Sequence, residues 1–288
     1  MQKRTKTALI FLIPAFIYFS VFYFYPLFAN IYYSLTKSML LSGDVAFVGF
    51  KNFYDALHDQ SFINSVSVTF RFILMTMIIV IPLSLGFALL FESSFVGAKF
   101  ALGMLYIPYL TSMVVIGLIW SVILNSDLGV LNLVLSALNL GTQEWLNNPK
   151  QALPVISGIL IWSRVGYTTI LFLAGLNAIP REFYESSDID GANRTQKFIW
   201  ITLPQLKQVF LFVFLTSFIS LVQSFAPSLI ITRGGPQEST NLIGYHIYRT
   251  AFAYFELNKA SAMSVLISLL IFPIALFILK KWGETVDA

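Results

Sequence analysis

The sequence contains no cysteine and little charge, and both absences restrict the possible functions. Without cysteine the chain forms no disulfide, no thiolate metal site and no cysteine nucleophile. Charged residues make up 11% of the chain, the mean hydropathy is +0.77, and a soluble domain carries about 25% charged residues. The composition therefore indicates an integral membrane protein. The net charge of +4 is scattered over short loops, which is typical of a membrane protein and gives no reason to expect a nucleic-acid partner.

Long apolar runs predict an all-α, polytopic protein. A hydrocarbon core about 30 Å thick is crossed by about 20 helical residues, and an open segment satisfies its own backbone in lipid only as a helix. Six runs reach this length: about 7–35, 64–91, 100–124, 152–178, 205–231 and 260–279. We expect a single transmembrane domain over 1–288, with six spans.

The loops predict the orientation of these spans. Lys and Arg are more frequent on the side that holds both termini, which favours cytoplasmic termini. The polar segment 179–204 is then cytoplasmic, whereas loops 36–63, 125–151 and 232–259 face outward. The first run is too long for a signal peptide and lacks a small-x-small cleavage site, which favours a retained span.

The segment 179–204 has helix-forming signals of its own. Pro180 suits the first turn of a helix, and the acidic Glu182 and Glu185 favour its positive N-terminal end. Gly191 can adopt the left-handed turn that stops it. These signals predict a helix on the membrane surface between two spans.

A second short helix is predicted directly after this turn. Asn193, three residues before Gln196, is typical of a capping box. Small residues occupy the tip between the two helices: Ser186, Ser187, Gly191 and Ala192. The resulting helix–turn–helix either docks a partner closely or is a capped surface connection without a partner, and these signals alone favour neither.

The same segment closely resembles the EAA loop of ABC importer permeases. The matching residues are Glu185, Asp190, Gly191, Ala192, Phe198, Ile201, Leu203 and Pro204. Ser186 and Ser187 replace two alanines of that pattern and are also small, whereas Asp188 adds an unusual second acid. Further segments resemble the carbohydrate-uptake branch and its maltose-type first permease: 48–53, 173–176, 178–180, 234–236 and 245–252, with Tyr184.

This resemblance implies a fold, partners and a mechanism. The fold is that of type I ABC importer permeases, with a coupling helix that seats in a cytoplasmic ATPase. The coupling residues it implies are Glu185, Ser186, Ser187, Asp190, Gly191, Ala192, Phe198, Leu203 and Pro204. The implied partners are a second permease in a heterodimer, two ATPase subunits and an extracytoplasmic sugar-binding protein that reaches loops 36–63 and 232–259. The chain itself would bind no cofactor, since the partner ATPase uses ATP and Mg²⁺, and would lie in a bacterial or archaeal plasma membrane.

Polar side chains within the spans are few and therefore mark a candidate substrate path. The fourth span carries Arg164 between Trp162 and Tyr167. The fifth span carries Ser217, Ser220 and Ser224 on one helical face, beside Gln223 and Phe225. Positions matching Trp162, Arg164, Tyr167, Ser217, Leu221 and Ser224 line the sugar site of the maltose-type permease, although Arg164 and Leu221 depart from its residue types. Packing between helices is the alternative explanation for the serines and the aromatic residues.

Other functional classes fit the residues less well. A secondary transporter commonly carries acidic residues in its spans, and the six runs contain none. A membrane enzyme would need a catalytic cluster, yet the only histidines, His58 and His246, fall in outer loops, where we expect both to be exposed. The chain has no Gly-rich phosphate loop with Lys-Ser/Thr, so we expect no ATP hydrolysis by the chain itself. The main alternative is an ABC permease for a non-sugar solute such as glycerol phosphate.

Overall fold

The computed structural model describes residues 2–38, 45–93 and 95–283, which are mostly α-helical. Part of the predicted outer loop, 39–44, and the chain end, 284–288, lie outside the described residues. The α-helices are α1 Gln2–Phe19, α2 Tyr25–Ser34, α3 Lys51–Leu57, α4 Gln60–Glu92, α5 Ala98–Leu110, α6 Met113–Ile123, α7 Val130–Ala137, α8 Ala152–Asn177, α9 Arg181–Ile189, α10 Arg194–Lys197, α11 Leu203–Gln205, α12 Lys207–Val222, α13 Ile243–Tyr248 and α14 Leu257–Gly283. Four π-helical segments adjoin them: Ser20–Phe24, Phe198–Thr202, Ser228–Thr232 and Arg249–Ala253.

Several helices are long and apolar enough to cross a membrane. Four continuous helical segments meet this criterion of length and composition individually: Phe11–Ser34, Gln60–Glu92, Ala152–Asn177 and Leu257–Lys280. Two bent pairs pass the same test together, α5 with α6 and α10–α11 with α12. The described residues thus contain four candidate spans, or six if each bent pair is one span. The multi-pass helical character expected from the sequence is confirmed.

The third predicted span is broken near its middle. Its two helices, α5 and α6, are bent by 96°. Pro108 lies in the last turn of α5, Thr111 is extended, and the hydroxyl of Ser112 caps α6 by accepting the N–H of Val114 at 3.4 Å. A cap side chain supplies the hydrogen bond that the new helix start lacks, so the break is stabilised locally.

The fifth predicted span, 205–231, is shorter than expected from its apolar composition. Its helix α12 ends at Val222 with Gln223 as the C-cap. After Pro227 the chain forms the π-helical segment Ser228–Thr232, and Arg233 closes it in a left-handed conformation. Apolar composition did not distinguish this separate segment from a continued helix.

A short hairpin is the only sheet structure among the described residues. Strands β1 Thr36–Ser38 and β2 Val45–Phe47 pair antiparallel, with Thr36 opposite Phe47. The hairpin follows the first candidate span, in a loop that we predict to face outward. Pairing there satisfies backbone groups that no helix uses.

The chain divides into two compact units. One comprises Met1–Ile63 and Ile247–Ile274, and the other comprises Asn64–His246 and Ala275–Ala288. This division concerns packing within the chain, and one permease domain over 1–288 remains a prediction.

Polar side chains hold the first unit together. The amide of the buried Asn52 donates to the carbonyls of Ser34 at 2.9 Å and Thr36 at 2.8 Å. The amide of Asn258 donates to the carbonyl of Tyr33 at 3.0 Å. The Asn52 bonds tie α3 to the end of α2 and to β1, and the Asn258 bond ties the start of α14 to the end of α2.

The second unit contains the larger apolar core. One cluster of buried residues joins α4, α8 and α12: Leu85, Ala88, Phe172, Leu176, Ile179, Leu206 and Val213. Helices α5 and α8 approach so closely at Gly166 that a Cβ there would lie 2.1 Å from the carbonyl oxygen of Leu105. This packing positions the end of α5 beside the middle of α8.

The two histidines differ in environment. His58 is exposed and stacks on Tyr54 at 4.0 Å, so the expectation is confirmed for this residue. His246 is 2% exposed in α13, where its Nδ1 lies 3.2 Å from the Asn241 amide, so the expectation is wrong for this residue. Its loop folds into a helix that buries it.

Candidate functional site

The turn in the 179–204 segment is closed by two hydrogen bonds of a Schellman motif. Helix α9 ends at Ile189, and Gly191 follows with φ +74°. The N–H of Ala192 donates to the carbonyl of Ser187 at 2.9 Å, and the N–H of Gly191 donates to that of Asp188 at 3.1 Å. The predicted stop at Gly191 is confirmed, and Pro180 lies at the N-cap, one residue before the predicted first turn.

The second helix begins with the predicted capping box. The side chain of Asn193 accepts the N–H of Gln196 at 2.9 Å, and the Gln196 side chain accepts the N–H of Asn193 at 2.8 Å. Helix α10 then passes into the π-helical segment Phe198–Thr202 and α11. Both cap interactions are local in sequence, so they could be predicted.

Two contacts join the helices on either side of this turn. The hydroxyl oxygens of Tyr184 and Thr202 lie 3.0 Å apart, and Lys197 forms an ion pair with Asp188. Asp188 thus has a partner within the loop. The sequence contained no signal for these pairs because their proximity depends on how the turn brings α9 against α10.

The turn presents small and acidic side chains on its surface. Glu185, Ser186, Asp190 and Gly191 are exposed, as is Pro204, whereas Ser187, Ala192 and Leu203 are half-buried. A surface cavity of about 380 Å³ lies against Ser187, Asp190, Gly191, Ala192 and Trp200 among others. Phe198 instead packs on the buried cluster that contains Leu176 and Leu206. The segment is therefore a braced loop: side-chain contacts hold its two helices together, and Phe198 packs it on the helical core.

A second cavity of about 280 Å³ lies between α8, α12 and the break between α5 and α6, and we call it the cleft. Its side is formed by Arg164, whose Nη2 donates to the hydroxyl of Ser220 at 2.7 Å. Gln223 and Ser224 also line it, as does Tyr109. Arg164 carries the one formal charge among the described residues that line the cleft.

The other predicted path residues lie elsewhere. The ring of Tyr167 stacks on that of Tyr109, with centroids 4.4 Å apart and planes at 6°, so it forms a second layer behind the cleft. Trp162 meets Trp120 edge to face at 5.7 Å and lines a separate apolar groove. Leu221 is fully buried, and Ser217 is half-buried outside the lining.

The break between α5 and α6 forms one wall of the cleft, and this wall was not predicted from the sequence. Tyr109, next to this break, and Thr111, within it, line the cleft. The available signals were Pro108 and the capping Ser112, which together mark a helix end and a helix start. The run 100–124 was read as one span with a tolerable kink at Pro108, so the break was not predicted.

These features define a multi-pass helical membrane protein with a polar cleft among its helices and a braced surface loop. Residues 78–282 match the family model described as "Binding-protein-dependent transport system inner membrane component". The chain therefore belongs to this family and is an inner-membrane component of a transport system.

Individual relatives cover almost the whole chain. It is 32% identical over 96% of its length to the arabinooligosaccharides transport system permease protein AraP of Bacillus subtilis, covering 88% of that protein. It is 27% identical over 92% of its length to the sn-glycerol-3-phosphate transport system permease protein UgpA of Agrobacterium fabrum, covering 90% of that protein. A chain in the crystal structure of a bacterial alginate ABC transporter, in complex with an alginate pentasaccharide-bound periplasmic protein, superimposes with a TM-score of 0.83 at 22% identity, covering 96% of this chain and 93% of that chain. This similarity establishes the type I ABC permease fold.

Proposed function

We propose that the chain is a permease subunit of an ATP-driven importer for sugars. The observation that carries the proposal is the braced loop 179–204 in a chain of this family. A rigid protrusion with a small-residue tip permits close docking of another protein. The relative AraP, named for arabinooligosaccharide transport, supports sugars as the solute class.

The loop couples a cytoplasmic ATPase to the helices. Glu185 and Asp190 are exposed and offer polar contacts, while Gly191 shapes the turn. Phe198 passes a displacement of the loop to the core, because it packs on the cluster beneath the loop. Closure of the ATPase subunits would thereby favour one packing of the bundle over the other. The permease itself hydrolyses no ATP, and ATP with Mg²⁺ is used by the ATPase.

In the assembly the chain would have three kinds of protein partner and would contact lipid. A second permease completes the solute path, two ATPase subunits dock on the cytoplasmic side, an extracytoplasmic binding protein delivers the solute, and lipid surrounds the whole. Residues 11–33 of the first candidate span are all exposed or half-buried within the chain, which leaves their apolar surface for lipid or the second permease. Counting each bent pair as one span gives six spans, with both termini cytoplasmic.

The solute passes along the cleft. Hydroxyl and amide groups at Ser220, Gln223 and Ser224 exchange hydrogen bonds with sugar hydroxyls, and the aromatic rings of Tyr109 and Phe225 suit the apolar faces of sugar rings. Side chains of the kinds that bind sugars thus lie together in the cleft. Glycerol phosphate remains a second candidate because the relative UgpA is named for its transport.

Loss of uptake on deletion of the gene tests the proposal. We expect the source cells to lose ATP-dependent uptake of at least one labelled saccharide among maltotriose, arabinotriose and raffinose, and to regain it with the wild-type chain. Loss of sn-glycerol-3-phosphate uptake alone would favour the second candidate. Uptake that continues without ATP and stops when the proton gradient is collapsed would refute an ATP-driven importer.

A further inference from the structure

Arg164 is a charge near the middle of a candidate membrane span. It is half-buried in α8, whose bounds are Ala152 and Asn177. Around it the cleft offers neutral groups, and none of the described lining residues is acidic. A charge removed from water is costly unless it is paired. A negative partner would stabilise a cation in this place, and the described residues that line the cleft do not supply one.

The Arg164 guanidinium has more N–H donors than it uses within the described residues. It carries five N–H groups in a planar fork, and within the described residues the side chain makes one hydrogen bond, from Nη2 to Ser220. That bond links α8 to α12 and holds the guanidinium at the cleft. A planar fork fixed in this way suits two oxygens of a carboxylate, phosphate or sulfonate.

Arg71 provides a contrast within the same chain. It lies in the first half of α4, is exposed, and its Nε donates to the carbonyl of Ser67 at 3.5 Å. Such a side chain can extend along the helix to the membrane surface. Arg164 instead turns toward a neighbouring helix and lines a cavity, so simple extension to the surface does not explain it.

We propose that the imported solute carries an anionic group and that Arg164 binds it in the cleft. This inference rests on the proposed import function and narrows the solute to acidic sugars or sugar-like phosphates and sulfonates. Gln223 and Ser224 take the neutral hydroxyls of the same unit. The cavity of about 280 Å³ is near the lower limit for small-molecule sites, so it holds one acidic unit at a time.

Two pairs of probes that differ in charge test the inference. Galacturonate is compared with galactose, and sn-glycerol-3-phosphate with glycerol, by saturation-transfer NMR on the full chain and its copurifying subunits in nanodiscs. We expect at least one anion to bind the wild type about 10-fold more tightly than its neutral counterpart, which is the order expected for a charge-assisted hydrogen bond. Arg164→Gln should abolish this preference, and Arg164→Lys should retain part of it.

Arg71→Gln is the matched control, because it removes an arginine outside the cleft and should leave the preference intact. Equal binding of both members of each pair by the wild type would overturn the inference without relying on any variant. A preference that persists in Arg164→Gln, with the variant folded, would also overturn it. ATP-dependent saccharide uptake is measured on the same preparations, so a functioning importer without anion preference refutes this inference alone, whereas absence of ATP-dependent uptake refutes the proposed function.

Discussion

Hydroxyl side chains in the long helices mostly bond to a backbone carbonyl. In α8, Ser157 donates to Leu153 at 2.9 Å and Thr169 donates to Val165 at 2.7 Å, each within the helix. Such bonds satisfy the hydroxyl and leave little chemistry to offer a solute. The bond between Arg164 and Ser220 differs, because it joins two side chains from separate helices at a cavity. At the scale of residues, the pair of Arg164 and Ser220 is therefore the strongest candidate for a functional contact.

Asp59 provides a prediction about pH. Its carboxylate accepts the N–H of Ser61 at 2.9 Å, at the start of α4, and the ammonium of Lys259 at 2.7 Å. Burial alone would raise the pKa of Asp59, but the hydrogen bond and charge of Lys259, together with the backbone N–H groups, hold the pKa below its usual 3.8. The ionised form is thus favoured by folding, so its stabilisation is present above pH 3.8 and is lost as the pH falls further.

We expect Asp59→Ala to lower the free energy of unfolding by about 1 kcal/mol at pH 7, the usual cost of losing a helix cap. The difference from the wild type should shrink below pH 3.8. Thermal unfolding in detergent at several pH values measures it. Asp55→Ala removes an exposed carboxylate nearby and is the control. A difference that is unchanged in acid would contradict the role of the charge.

Gly191 provides a second prediction at this scale. Its φ of +74° disfavours residues with a Cβ, although a Cβ there would meet no atom within 4 Å. A substitution therefore strains the turn by about 1 kcal/mol without causing a clash. Asn tolerates this conformation better than a β-branched residue. Gly191→Val should reduce ATP-dependent uptake and ATPase copurification, and Gly191→Asn should retain more of both; equal activity of the two variants would contradict a conformational role.

At the scale of elements, the helices with local stop signals were predicted most closely. The fourth span was predicted over 152–178, and α8 runs from Ala152 to Asn177. The capping box at Asn193 was likewise predictable, because its partners are three residues apart. The break in the third span and the end of α12 at Val222 were not, because apolar residues continue beyond each of these positions. The angle of 96° between α5 and α6 depends on packing.

The close approach of α5 and α8 predicts how a substitution at Gly166 affects stability. Gly166 leaves no space for a side chain, since the Leu105 carbonyl oxygen would lie 2.1 Å from a Cβ. We expect Gly166→Ala to destabilise the protein by about 1–3 kcal/mol, the usual range for overpacking. Gly158→Ala, in the same helix with no atom within 4 Å of its Cβ, should be neutral or stabilising. Unfolding in nanodiscs compares the two variants, and equal stabilities would contradict the close approach.

Part of the site could also be predicted, and the remainder depends on tertiary structure. Four of the eight predicted path residues line the cleft: Arg164, Ser220, Gln223 and Ser224. The helical face predicted for Ser217, Ser220 and Ser224 is wrong for Ser224, because α12 ends at Val222. Helical spacing also could not show that Leu221 packs inward. Tyr109 was missed because it reaches the cleft only through the break after α5. Which of these residues touch the solute remains a prediction.

At the scale of the whole molecule, the proposed import function requires partner proteins. Membership of the family makes the chain one component of a transport system. Large apolar side chains remain exposed along the candidate span Phe11–Ser34. The loop 179–204 has its own bracing contacts, between Tyr184 and Thr202 and between Asp188 and Lys197. A segment fixed by its own contacts can transmit force from a docked protein to the helices.

The most direct test of this account is a covalent cross-link from the loop. Because the chain has no cysteine, Ser186→Cys places a single thiol at the exposed tip, and a benzophenone maleimide attached there can be photo-activated in native membranes. Asp127→Cys, exposed in a loop predicted to face outward, is the control. We predict that Ser186→Cys becomes linked to a polypeptide carrying the Gly-rich Lys-Ser/Thr phosphate motif and that Asp127→Cys does not. Failure of Ser186→Cys to capture such a polypeptide, or its capture by Asp127→Cys, would contradict the coupling of this loop to an ATPase.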